Sequence, residues 1–180
     1  FYLGVGSGSH AQQTARIMIE FEKVLEEVHP DLVIVVGDVN STVACSLVSV
    51  KMGVPVAHVE AGLRSGDRTM PEEINRLLTD SIADHLFVTE PSGVAHLRRE
   101  GIEERKVHLV GNVMIDSLVH YREKAKQSTI MEQLGVKANK FTLVTLHRPS
   151  NVDTEVGLGK ILTIFERIAS HAAIVFPVHP

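Results

Sequence analysis

The residues from Leu32 to Val36 form an uninterrupted apolar run that is almost entirely β-branched. Such a run is typical of a strand covered on both faces of a parallel sheet. Residues 11–29 before it place apolar side chains at helical spacing, and a predicted helix over 41–52 separates it from a second apolar run at 54–59. Strands that alternate with helices predict an α/β fold with doubly wound parallel sheets.

The same alternation continues along the chain. Pro71 favours a helix start at that position, because proline suits the first helical turn. Further helices are predicted over 71–83, 91–100, 112–126 and 154–171, and further strands over 85–88, 106–110, 141–146 and 173–178. Residues 1–3 are predicted to be the tail of a strand, and we place a domain boundary in the helix over 112–126. Because the chain starts without Met and stops after an apolar run, we expect it to be an internal piece of a longer protein.

Composition excludes several classes of protein. The 180 residues are 44% hydrophobic and 22% charged, with a net charge of -4, which is ordinary for a globular protein. Without a basic block and with only 4% aromatic residues, the chain is not expected to bind nucleic acid. No apolar run reaches membrane-spanning length, and the single Cys45, predicted to be buried and inert, fits the cytoplasm.

Polar side chains follow four of the predicted strands. Asp38 follows the strand over 32–36, and His58 and Glu60 end the strand over 54–59. His147 and Arg148 follow the strand over 141–146, and His179 follows the strand over 173–178. In an open parallel sheet, ligands bind beyond the carboxyl ends of the strands. We therefore expect these four strand ends to deliver acid, histidine and arginine to one edge.

Two carboxylates have ordinary structural explanations beside the functional one. Asp38 is placed to cap the helix over 41–52, and Glu72 falls in the first turn of a helix, where negative charge is favoured anyway. Glu60 is harder to explain structurally, because it directly follows an apolar strand, with Arg64 as its expected partner. Several acids within a short stretch indicate a site where protons are moved.

Cofactor and metal motifs are incomplete. The glycine-rich segment before the first helix departs from the dinucleotide pattern G-x-G-x-x-G at Ser9, which favours a plain turn over a nicotinamide site. The histidines outside the strand ends share no metal-ligand spacing. We therefore expect neither a cofactor nor a metal.

Five segments together resemble the non-hydrolysing UDP-N-acetylglucosamine 2-epimerases. They are Gly37–Thr42, His58–Ser65, Pro71–Arg76, Gly111–Asp116 and Thr145–Arg148. The resemblance implies a glycosyltransferase-B-like arrangement of two Rossmann-like domains, truncated at both ends. Residues 1–115 would be the latter part of the N-terminal domain, and residues 116–180 the beginning of the C-terminal domain.

The resemblance also implies a reaction, the interconversion of UDP-N-acetylglucosamine and UDP-N-acetylmannosamine. It maps acid/base carboxylates onto Asp38, Glu60 and Glu72, and a substrate-contacting histidine onto His147. The family pattern H-R-R-E-N reads H-R-P-S-N here, so the roles of its second arginine and its glutamate do not carry over. Arg148 and His179 are expected to contact the UDP-sugar. A homodimer is expected of the full-length protein, and the piece alone is expected to be inactive.

Other functions stay open at this point. A glycosyltransferase of the same fold would transfer the sugar without exchanging the C2 hydrogen, and a hydrolysing epimerase would release free N-acetylmannosamine. A sugar-nucleotide sensor would bind without turnover, and a nicotinamide oxidoreductase would need added cofactor.

Overall fold

The computed structural model describes residues 1–146 and 154–178, and the chain divides into two compact units, residues 1–119 and 120–180. The first unit contains α1 His10–Val28, β1 Val33–Val36, α2 Asn40–Lys51, β2 Val56–Ala61, α3 Pro71–Ile82, β3 His85–Val88, α4 Pro91–Arg99, a 3-10 turn Glu104–Lys106 and β4 Val107–Leu109. Helix α5, Val113–Lys126, contains both this division and the boundary predicted at 115–116. The second unit contains α6 Ile130–Gln133, β5 Phe141–Leu143, α7 Glu155–Ala169 and β6 Ala173–Val175.

Every strand pairing in the described residues is parallel, which confirms the predicted α/β class. The first unit has one sheet in the order β1-β2-β3-β4, with Val33 opposite Val56 and Val36 opposite Val59. In the second unit β5 and β6 form a separate parallel sheet. Parallel strands end at the same edge of their sheet, so the residues after β1 and β2 are neighbours.

The prediction that both faces of β1 are covered is wrong for the described residues. Val35 is buried, but Ile34 and Val36 are 62% and 53% exposed. Strands added in chain order by right-handed crossovers place their connecting helices on the same side of the sheet. The apolar run therefore indicated a strand correctly but did not indicate what covers its second face.

The chain before α1 is also not the strand tail that was predicted at residues 1–3, since residues 1–9 are neither helix nor strand. Ser9 instead caps α1: its hydroxyl accepts the backbone N–H of Gln12, and the Gln12 side chain accepts the backbone N–H of Ser9. This reciprocal capping box explains the serine that breaks the dinucleotide pattern.

The end of β2 packs closely against α4. Gly62 has φ +79°, and a Cβ built on it would lie 2.7 Å from the carbonyl oxygen of Gly93. Only glycine fits both the left-handed backbone and this approach. The packing fixes the path of the chain just after the predicted acid Glu60. The buried core beneath it comprises Val35, Val56, Ala61, Ala83, Leu86, Val88 and Leu97.

Candidate functional site

Glu60 lies at an irregularity in β2. The pairing of β2 with β3 shifts register between Val59 and Ala61, which makes Glu60 the extra residue of a bulge. Its backbone has φ +72°, in the left-handed region that a side chain other than glycine rarely adopts. Its carboxylate approaches the turn after β1, with Oε2 3.9 Å from the position of a Cβ built on Gly37. The bulge thus turns the Glu60 side chain toward the residue that precedes Asp38.

Asp38 occupies the turn between β1 and α2 and is held there from α3. Its carboxylate forms an ion pair with Arg76, and its backbone carbonyl accepts a hydrogen bond from Asn75 Nδ2 at 2.8 Å. It does not cap α2, because Val39 is the N-cap residue and makes no side-chain cap bond. The capping explanation considered from the sequence is therefore wrong, and Asp38 faces the neighbouring elements instead.

Glu72 is in the first turn of α3, as predicted, and its side chain is half-buried. It precedes Asn75 and Arg76 by three and four residues, a spacing that places all three on one face of the helix. Because Asn75 and Arg76 both contact Asp38, Glu72 lies on the face of α3 that is directed at the turn between β1 and α2. The structure therefore places Glu60 beside the turn that carries Asp38, and Glu72 on the adjoining helix.

Glu73, the next residue, has a different role. Its buried carboxylate accepts hydrogen bonds from the backbone N–H groups of Ser65 and Gly66 at 2.9 and 3.1 Å, from the Ser65 hydroxyl, and from Arg76. Burial alone would raise the pKa of Glu73, but these hydrogen bonds outweigh it and lower the pKa to about 2. Glu73 thus holds the loop after β2 and also supports the arginine that pairs with Asp38.

A buried network of polar and charged side chains lies beneath the site. His58 contacts the Asp80 carboxylate through Nδ1 at 2.6 Å and the Gly37 carbonyl through Nε2 at 2.8 Å. Asp80 also accepts the Gly62 N–H at 3.0 Å and pairs with Arg64 at 2.8 Å. His58 was predicted from the sequence as a strand-end polar residue, but Asp80 was missed. The signal for Asp80 is its position seven residues after Glu73, on the same face of α3.

Arg64 does not pair with Glu60, as was expected from the sequence. It contacts Asp80 and forms two hydrogen bonds with Glu100, the C-cap residue of α4, at 2.8 and 2.6 Å. Burial lowers the pKa of Arg64, but hydrogen bonds and charge interactions with Glu100 and Asp80 raise it above its usual value. The pairing leaves Glu60 without an arginine counter-charge among the described residues.

The remaining predicted site residues, His147, Arg148 and His179, lie outside the described residues. The strands that precede them belong to the second sheet, so the sheet edge described here brings together Asp38 and Glu60 rather than all four strand ends. Over residues 1–146 and 154–178, no group of three or more His, Cys, Asp or Glu is arranged to hold a metal ion. In that same portion, no helix is both long and apolar enough to span a membrane.

Known proteins share both the sequence and the fold. The chain is 45% identical to the UDP-N-acetylglucosamine 2-epimerase of Methanocaldococcus jannaschii and 40% identical to the UDP-2,3-diacetamido-2,3-dideoxy-D-glucuronate 2-epimerase of Pseudomonas aeruginosa. Both alignments cover the whole chain but only 50% and 51% of those relatives, so the chain spans about half their length.

A crystal structure of the Methanocaldococcus jannaschii enzyme in complex with UDP-GlcNAc and UDP superimposes with a TM-score of 0.89, over 98% of this chain and 50% of that one. This likeness confirms the α/β fold of the glycosyltransferase-B type that the motifs implied. The family model described as UDP-N-acetylglucosamine 2-epimerase matches residues 1–180. Because the match extends over the entire sequence, this chain belongs to the UDP-N-acetylglucosamine 2-epimerase family.

Proposed function

We propose that the full-length protein converts UDP-N-acetylglucosamine to UDP-N-acetylmannosamine by eliminating UDP and adding it back through a glycal intermediate. The observation that supports this most directly is the left-handed backbone of Glu60, which turns its carboxylate toward the turn that holds Asp38. Non-glycine residues in this conformation are strained and are concentrated at functional sites. Two acids at the ends of neighbouring parallel strands suit a reaction that removes and returns a proton.

The chemistry explains why several acids are needed. No carbonyl adjoins C2 of the sugar, so its proton is not acidic enough to be removed as in an enolisation. When the C1–O bond to UDP breaks, positive charge develops at C1 and acidifies the C2 proton. A base takes that proton, the C2–H electron pair forms the C1–C2 double bond, and UDP leaves with the C1–O pair. Adding a proton to the other face of C2, with UDP returning to C1, gives the epimer.

We assign proton transfer at C2 to Asp38 and Glu60, with assistance from Glu72. Each such group typically contributes about 10²–10⁴-fold to the rate. His147 and Arg148 would hold the diphosphate, because imidazolium and guanidinium groups suit phosphate oxygens, and His179 would contact the substrate. Elimination and re-addition move a proton and UDP but no hydride, so this route requires no redox cofactor.

The relatives narrow the substrate to a class. Their names specify a UDP-linked 2-acetamido sugar in one case and a UDP-linked 2,3-diacetamido uronate in the other. Epimerisation at C2 is common to both, whereas the substituents at C3 and C6 differ. We assign UDP-N-acetylglucosamine to this protein because the family model that matches residues 1–180 is described by that activity. We also assign a homodimeric assembly to the full-length protein.

Deuterium incorporation tests the proposal. The full-length protein is incubated with UDP-N-acetylglucosamine in deuterated water, and C1 and C2 are followed by NMR. We expect deuterium at C2 of both epimers and transient glycal and UDP. Asp38→Asn, Glu60→Gln and Glu72→Gln should each slow the exchange by at least about 100-fold. A matched control is Glu90→Gln, which removes a carboxylate at the start of α4.

Other outcomes would assign a different function. Sugar transfer without deuterium at C2 would indicate a glycosyltransferase, and free N-acetylmannosamine would indicate a hydrolysing epimerase. Binding with no turnover would indicate a sensor. Exchange with the 2,3-diacetamido uronate alone would keep the reaction and change the substrate.

A further inference from the structure

We infer that His58 and Asp80 are positioning residues for the acid/base carboxylates, joining the three chain segments on which those carboxylates lie. This inference rests on the proposed function for its activity test and extends it to two residues outside the substrate-facing set. His58 contacts the residue before Asp38, and Asp80 contacts the residue two positions after Glu60. Asp80 itself belongs to α3, the helix that begins next to Glu72.

The two side chains are fully enclosed. His58 is 0% exposed and Asp80 is 1% exposed. Buried polar groups of this kind are costly unless every contact is satisfied, and here each one is. His58 uses both ring nitrogens, and the Asp80 carboxylate accepts from the Gly62 N–H while it contacts His58 and Arg64. Neither side chain reaches the surface where a substrate would bind, so their effect must pass through the backbone.

Hydrogen-bond chemistry fixes the direction of each contact. The Gly37 carbonyl only accepts, so His58 Nε2 carries a hydrogen and donates it. Nδ1 lies 2.6 Å from Asp80 Oδ1, an approach that requires a proton between the two atoms. The turn before Asp38 is therefore hydrogen-bonded to a ring whose orientation is set by Asp80.

The strained backbone of Glu60 lies between the two anchored points. His58 is two residues before it and Gly62 is two residues after it, and Asp80 contacts both. A left-handed non-glycine residue persists only when its surroundings hold it there. A displacement of about 1 Å in a catalytic group costs about 100-fold in rate, so loss of either anchor should lower kcat.

Complementary substitutions separate this role from simple stabilisation. In His58→Gln the carboxamide has donors on one end only, so it cannot serve both the Gly37 carbonyl and the Asp80 carboxylate. In the double variant His58→Gln/Asp80→Asn the second carboxamide supplies the missing N–H and still accepts from the Gly62 N–H. His58→Gln alone should therefore lower kcat, and the double variant should restore it.

The experiment measures kcat, KM and C2 deuterium exchange in the full-length protein. We expect His58→Gln to lower kcat and exchange together by about 100-fold while KM changes by less than about threefold, and the double variant to recover to within about tenfold of wild type. The matched control is Val56→Ala, a buried substitution at the other end of β2, which should lower Tm without lowering kcat. Wild-type kcat in His58→Gln, or equal loss in Val56→Ala, would overturn the inference.

Hydrogen exchange measured by mass spectrometry supplies a readout that does not depend on turnover. Loss of the anchors should speed exchange in peptides over 37–40 and 60–63 and leave α1 unchanged. If wild type fails to exchange deuterium at C2, the proposed function fails while this measurement still tests the positioning role. If His58→Gln alone does not fold, a folded double variant with less than about 1% of wild-type kcat would overturn the inference.

Discussion

Replacing Glu73 by glutamine removes the buried carboxylate that holds the loop after β2. The carboxylate accepts two backbone N–H bonds, from Ser65 and Gly66, as well as bonds from the Ser65 hydroxyl and Arg76. A carboxamide has one acceptor oxygen, and its NH₂ group would face donors on the other side. Glu73→Gln should therefore lower stability at neutral pH, and the pH dependence of the loss can be worked out.

The magnitude follows from the pKa of Glu73, which burial would raise but which the hydrogen bonds lower from 4.5 to about 2. A carboxylate whose pKa is lower in the folded state stabilises the fold at pH values above its unfolded pKa, and that contribution is lost as the pH falls toward the folded value. For Glu73 it amounts to about 3 kcal/mol at neutral pH and about 2 kcal/mol at about pH 3.5. The difference between wild type and Glu73→Gln should therefore shrink below about pH 4.5.

Urea denaturation of both proteins, followed by circular dichroism between about pH 7 and about pH 3.5, measures this difference. All other carboxylates are shared by the two proteins, so their titration largely cancels. The matched control is Glu72→Gln, which removes the same charge from the same helical turn. Glu72 has no hydrogen-bond partner within the described residues, so this control should lose less than about 1 kcal/mol. The reasoning is refuted if the two variants are equally stable at neutral pH, or if the Glu73→Gln deficit does not shrink in acid.

Three further predictions concern the same unit. Gly62→Ala should cost more than about 2 kcal/mol by urea denaturation, because its Cβ would meet Gly93, whereas Gly66→Ala, with φ +75° and no atom within 4 Å, should cost about 1 kcal/mol. Equal losses would contradict the crowding argument. Burial raises the pKa of Cys45 from 9.0 to about 11, so at neutral pH it should react with a disulfide reagent about 100-fold more slowly than in urea. Glu60→Asn should unfold at the same or higher urea concentration but abolish C2 exchange, because asparagine tolerates positive φ; a large loss of stability would argue against strain there.

Local sequence pattern was sufficient for the parallel α/β fold and for the positions of two candidate site residues on it. Asp38 and Glu60 each lie at the end of an apolar run, and parallel pairing of β1 with β2 makes those ends neighbours. The start of α3 at Pro71 and the acids in its first turn followed from the same kind of local rule. Periodicity and capping depend on residues close in sequence, which explains why they could be predicted.

What the sequence did not predict depends on contacts between distant residues. Arg64 was expected to pair with Glu60, four residues away, but it pairs with Asp80 and Glu100, which approach only after α3 and α4 pack beside β2. Coverage of the outer face of β1 likewise depends on neighbours that its own sequence does not specify. The short helix α6 was not predicted, because its segment is polar and too short for apolar periodicity to show.

The arrangement around Glu60 is one in which local preference and overall fold disagree. A β-strand residue with a long side chain would ordinarily continue the pleat, yet Glu60 takes a left-handed backbone that costs on the order of 1–2 kcal/mol. The surrounding contacts are strong enough to hold it: the pair of His58 and Asp80 on one side, and the close approach of Gly62 to Gly93 on the other. Natural sequences break such local rules mainly where function requires it, so the strained backbone of Glu60 supports the proposal that its carboxylate acts in catalysis.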